Sequence, residues 1–515
     1  MTRKYRIALL TAGLILFGIP AAWIATSPGS SRSALYATPG TDVGTLRFPK
    51  HFYWGVAISG QQAESQQPSD WTAFEREVYR GRRFESGVEL GTTKPGHIRG
   101  LGRWSDTVRL EKTGFEKSYP EDLETVGSMG LNAFRTSIEW ARLFPRAGMI
   151  EPAPEGIAYY KRLLAEMKKR GITPFITLSH YAVPEWFAEP DGAGRKGWER
   201  EDALEHWQQF VAAAADHFIP DVEQWCTLNE PMVYVYEGYI EGIYPPREKR
   251  PDFAAAADVL DTLLRAHMIA YKTLHTVADG RHAAVNVGIA QNVGAFEPLR
   301  NWAPLDRLIA GMAEQAWNWD FLDAIESGRL RLAGTDIDRR IDGLKGAEDF
   351  IGLNYYNRLY VKSDLFHPTA PTILEHDPAA AHEPYNDLGW DAYPHGFYQV
   401  LTQANRRYGK PIYVLENGTA DKAEDDVARQ KFLVSHVREV WLAINQGGAD
   451  VRSYIHWSLF DNFEWVEGFD ARFGLVAVDY EQGFNRKARP SAKLYSEIAG
   501  TNTLPASLIL HYGRP

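Results

Sequence analysis

The chain has 515 residues and 58.1 kDa, of which 44% are hydrophobic and 24% charged, a globular composition with ample material for a core. A formal charge of −10 and a pI near 5.9 argue against a nucleic-acid partner, which would require clustered Lys and Arg. The single cysteine, Cys226, excludes an intrachain disulfide and, inside an apolar run, reads as a small buried hydrophobe.

In chain order, Arg3, Lys4 and Arg6 precede an apolar stretch over 7–25, long enough to span a bilayer as a helix. Trp23 lies two positions before Ala25 and Pro28 follows Ser27, a poor cleavage site, so residues 1–26 read as a signal peptide or, preferably, an uncleaved signal anchor. This predicts export, with membrane association through 7–25 and the remainder extracytoplasmic, or a secreted or periplasmic chain if the signal is cleaved. Residues 27–45 are rich in Ser, Gly, Pro and Thr, as in a flexible linker.

Eight short apolar runs follow, most of them separated by helix-like stretches. They start at Phe52, Ala133, Pro174, Trp225, Val285, Phe350, Ile412 and Tyr454. The stretch from Tyr159 to Gly171 shows the repeating unit: apolar residues at helical spacing, cations in the last turn, a glycine stop, then a strand. Asn405 to Gly409 before Pro411 repeats it. The alternation predicts an α/β fold, a single (β/α)8 TIM barrel over 46–500. A doubly wound open sheet is the alternative, but no Gly-x-Gly-x-x-Gly follows the first strand. Long segments from Arg76 to Lys117 and from Val361 to Asp387 are expected to shape the entrance, and the tail 501–515 has no assigned role.

In such a barrel the C-terminal strand ends share one mouth. The residues there are Gln62 and Glu64, Arg135 and Glu139, His180, Asn229 and Glu230, Asn354 and Tyr356, Glu416, and Trp457 with Glu464 and Trp465. Singly, His180 and Trp457 read as core and Arg135 as a structural ion pair. Together they form a set with no evident metal cage, suited to a sugar: paired carboxylates can cleave a glycosidic bond, amides and carboxylates bind hydroxyls, and indoles cover the ring face. No cofactor is expected.

The motifs FYWGVAISGQQAE, RTSIEWARLFP, TLSHY, TLNEP, DFIGLNYYNR, LENG and HWSLFDNFEWVEGFDARFGLVAVD resemble glycoside hydrolase family 1, the family of β-glucosidases and β-galactosidases. The wording looks most like its archaeal-type and galactolipid-remodelling branch. The resemblance implies Glu230 as general acid/base and Glu416 as nucleophile, with Arg135, Tyr356 and Asn354 in support. It further implies Asn229 on the sugar 2-hydroxyl, Gln62, His180, Glu464 and Trp465 on the other hydroxyls, and Trp457 as platform. Removal of a terminal β-glycosyl unit with retention would follow, on a small-molecule β-glycoside or, as the alternative, by transglycosylation of a membrane glycolipid. A sugar-binding protein without catalysis is the reading from another class. Glu464 argues by charge against phosphorylated sugars. Two departures from the family wording touch sugar preference: Tyr181 where Trp usually follows the histidine, and Gly60-Gln61 before Gln62.

Overall fold

The computed structural model describes residues 44–84, 98–364, 372–377 and 386–512, with Tyr5–Arg6 as a two-residue strand beside Thr372–Leu374. Stretch 7–25 and most of the linker lie outside these residues, as do parts of both long entrance segments. Among the described residues no helix is long and apolar enough to cross a membrane.

Eight parallel strands close into a barrel: β1 Tyr53–Ala57, β2 Ala133–Ser137, β3 Thr173–Ser179, β4 Gln224–Asn229, β5 Asn286–Pro298, β6 Ile351–Lys362, β7 Ile412–Asn417 and β8 Val451–Trp457. Each strand pairs with the next, and β8 returns to β1. All eight expected runs form these strands. The ends differ most at β5 and β6, which continue side by side past the barrel to Pro298 and Lys362.

Helices wrap the strands because one stripe of each is apolar. Pro154–Lys169 buries Ile157, Tyr160, Leu163, Leu164 and Met167, carries Lys168 and Lys169 in its last turn, and is followed by Gly171 at φ 67°. Strand β7 is buried along its whole length, and burying each of its aliphatic side chains contributes roughly 1.5–3 kcal/mol. Inside the barrel, Tyr53, Phe175, Phe350 and Tyr413 contact one another edge-on or tilted at 4.9–5.7 Å between ring centres and fill the lower lumen. Polar side chains therefore collect at the upper end.

Residues 502–512 are packed onto the domain. Thr503–Leu504 pairs antiparallel with Leu46–Arg47, Asn502 Oδ1 accepts from the Trp54 indole at 2.9 Å, and Ala506–Tyr512 forms a further helix.

Candidate active site

The strands that carry the expected carboxylates both slip register just before them. On β7, Val414 and Glu416 face Leu353 and Asn354, so Leu415 is an extra residue; on β4, Cys226 and Asn229 face Gly288 and Ala290, again one residue in excess. A bulge of this kind re-aims the following side chain. It answers how an apolar run can finish in a carboxylate directed at the lumen. Gly418, beyond Glu416, allows the close approach of β8: a Cβ there would lie 1.9 Å from the Trp457 carbonyl oxygen.

Glu416 is 4% exposed. Its Oε1 pairs with the Arg135 guanidinium and its Oε2 accepts from the Tyr356 hydroxyl at 2.5 Å. Arg135 also donates to Asn229 Oδ1 at 2.7 Å and Thr177 Oγ1 at 3.2 Å. One buried cation thus ties β2 to β3, β4 and β7.

Glu230 is 6% exposed and touches no cation among its hydrogen-bond partners. Its Oε1 accepts from Asn354 Nδ2 at 2.8 Å and Asn292 Nδ2 at 3.0 Å, and its Oε2 from the Tyr181 hydroxyl. Burial, reinforced by the Glu416 charge, pushes its carboxyl up to about 7 against the pull of those three donors. Its backbone is left-handed at φ 47°, a sparsely populated state for a non-glycine residue, and Pro231 starts a helix directly after it.

The amides are oriented by groups that can only donate. Arg135 fixes Asn229 Oδ1 as an acceptor, which turns Asn229 Nδ2 to His180 Nε2 at 3.2 Å and lets Asn354 Nδ2 reach the same oxygen at 3.2 Å. The Trp317 indole donates to Asn292 Oδ1 at 3.0 Å and so aims Asn292 Nδ2 at Glu230. Burial, then the Arg135 charge, holds His180 well below its ordinary value, so it is a neutral ring with Nε2 accepting. Its ring stacks against Trp457 at 5.8 Å and Trp465 at 6.0 Å. Glu464 Oε2 accepts from Gln62 Nε2 at 3.4 Å and the Trp457 indole at 3.5 Å. Burial raises Glu464 to about 8, which leaves it largely protonated at neutral pH and weakens the charge repulsion expected against a phosphorylated sugar.

Apart from Glu64 and Glu139, the residues of the expected set thus enter one connected network. Sequence reasoning missed Asn292 and Trp317, and tied the Tyr181 departure to sugar preference, whereas its hydroxyl meets Glu230. The Gly60-Gln61 departure also has a local cause: a Cβ at Gly60 would lie 2.6 Å from the Glu139 side chain, and Gln61 accepts from Ser69 Oγ at 2.8 Å. Glu64 and Glu139, counted among the strand-end residues, turn away into a separate buried cluster with Arg142 and Tyr160.

Chemically, a carboxylate fixed by a cation beside a buried carboxyl that titrates near neutrality supplies a nucleophile or base together with an acid. The family model for glycosyl hydrolase family 1 matches residues 112–504. A β-galactosidase of Sulfolobus acidocaldarius is 31% identical over 516 aligned residues, covering 90% of this chain and 97% of its own. The structure of a β-glycosidase from Pyrococcus horikoshii superposes with a TM-score of 0.77 at 34% identity, covering 92% of this chain and 99% of its own. A β-glucosidase from Thermotoga maritima in complex with glucoimidazole gives 0.74 at 28% identity, with 89% and 99% covered. These relatives are named for β-glycosidase activity, and the glycolipid acceptor gains no support from them. The chain is a glycoside hydrolase and belongs to glycosyl hydrolase family 1.

Proposed function

We propose that the protein is a retaining, exo-acting β-glycosidase that removes a terminal β-glucosyl or β-galactosyl unit from small glycosides. The observation that carries this reading is the unequal treatment of the two carboxyls: Glu416 is bound by the Arg135 cation, whereas Glu230 is surrounded by neutral donors and pushed up to about 7. In the first step Glu416 attacks the anomeric carbon, the bond to the leaving oxygen breaks, and that oxygen takes the Glu230 proton. In the second, Glu230 removes a proton from water, which displaces Glu416 and releases the sugar with its original configuration. Tyr356 and Arg135 hold and aim Glu416, and Asn229 meets the 2-hydroxyl. Gln62, Glu464, Trp457, His180 and Trp465, already joined to one another, support a pocket for one terminal ring.

Proton NMR of the first sugar released from an aryl β-glucoside tests the proposal. The β anomer is expected to form first and to mutarotate later; initial release of the α anomer would sink the double displacement.

A further inference from the structure

Tyr181 replaces the tryptophan usual after the site histidine, and the backbone is bent to place it. Its φ is 69°, and Ala182 N donates across it to His180 O at 2.9 Å, the hydrogen bond of a tight γ-turn. A non-glycine residue holds such a conformation only where its surroundings impose it. Here the ring is wedged edge-on against Trp465 at 5.0 Å and Tyr244 at 5.8 Å, which directs its hydroxyl to Glu230 Oε2.

The other oxygen of Glu230 is saturated. A carboxyl oxygen has two lone-pair sites, and on Oε1 both receive amide N–H groups, from Asn354 and Asn292, whose orientations are set by Asn229 and Trp317. A proton on Oε1 would displace one of these donors. The transferable proton therefore belongs on Oε2, where the Tyr181 hydroxyl occupies one of the two sites and leaves the other.

We infer that Tyr181 is a positioning residue of the acid: it selects the site on Glu230 Oε2 from which the proton is delivered and, by donating to the ionised form, sets how readily that proton leaves. This rests on the acid/base reading of Glu230. The other titratable groups facing Glu230 are Glu416, with Arg135 and Tyr356 on it, Glu464, and Tyr244 behind Tyr181. The Tyr181 hydroxyl touches the Glu230 carboxyl directly.

The test is the pH profile of kcat/KM across aryl and alkyl β-glycosides of graded leaving-group acidity, with Tyr181→Phe and Glu230→Gln. Loss of the hydroxyl should move the alkaline limb upward by about one pH unit, the effect of removing one charge-assisted donor. The rate loss should be larger for poor leaving groups than for dinitrophenol. An unmoved limb, with a change in KM alone, would overturn the inference and assign Tyr181 to sugar contact. If Tyr181→Phe does not fold, 3-fluorotyrosine at position 181, a stronger donor of nearly the same shape, should move the limb downward, and no movement would again overturn it. Glu230→Gln separates the two levels. A loss graded by leaving group keeps the acid reading whatever Tyr181 does, and an ungraded loss removes both.

Discussion

Two buried carboxyl pairs lie close together at the top of this barrel and are built from the same residue types. One holds Glu230 and Glu416 with Arg135 and Tyr356; the other holds Glu64 and Glu139 with Arg142 and Tyr160. In each, an arginine meets one carboxyl and the other is pushed up to about 7, Glu230 in the first and Glu139 in the second. A carboxyl pushed up to about 7 beside an arginine-bound one therefore does not by itself mark a reaction centre, and in the second pair burial raises Glu64 as well. In the second pair Glu64 Oε2 is met by Gln67, Arg142 and Tyr160 at 2.9–3.2 Å, and Glu139 lies against Gly60 with no room for a methyl group. The contrast extends to the backbone, which is ordinary at Glu139 (φ −75°) and left-handed at Glu230 (φ 47°). An imposed backbone at the raised carboxyl is what distinguishes the first pair.

Substitutions should divide along the same line. Glu416→Ala is expected to reduce kcat on an aryl β-glycoside by at least about 10⁴-fold, with partial recovery in azide to give an α-glycosyl azide. A rate within an order of magnitude of wild type would discard its role. In the second pair, Arg142→Ala strands Glu64 and Glu116 and should lower unfolding stability by roughly 3–5 kcal/mol in urea titration, with kcat nearly unchanged. A fall in kcat comparable to that of a catalytic variant would erase the distinction between the two clusters.

The smallest effect is a slope. Glu139 goes from an ordinary 4.5 to about 7 on burial, so between those pH values the folded chain holds a proton that the unfolded chain has released. Stability therefore falls as pH rises through this window. Glu139→Gln should remove at most about 1.4 kcal/mol per pH unit of that fall. An identical slope in the variant would show that Glu139 does not take up the proton.

Most of the barrel is legible in the chain because a strand buried on both faces must be an apolar run, as from Ile412 to Leu415. The ends are less so. Gln291 and Asn292 look like the polar close of a run ending at Ala290, yet β5 continues because β6 is equally long beside it; pairing, which a single sequence does not display, decides the length. Asn292 was missed for that reason, and Trp317 with it. Thr503–Leu504 is too short for any periodicity and becomes a strand only because Leu46–Arg47 lies opposite. Glu64 and Glu139 have the right residue type at the right end of a strand, and only packing reveals that they face elsewhere.

The wiring of Asn229 gives the site a direction. Its Oδ1 already receives Arg135 and Asn354, and one of its N–H bonds goes to the neutral His180. Among the described residues, what Asn229 has left to offer is a single N–H. A hydroxyl meeting it must accept there and pass its own hydrogen onward, so polarity around the sugar runs one way, outward from the arginine. A substrate carrying fluorine in place of that hydroxyl could still accept, but the onward half of the relay would end at it.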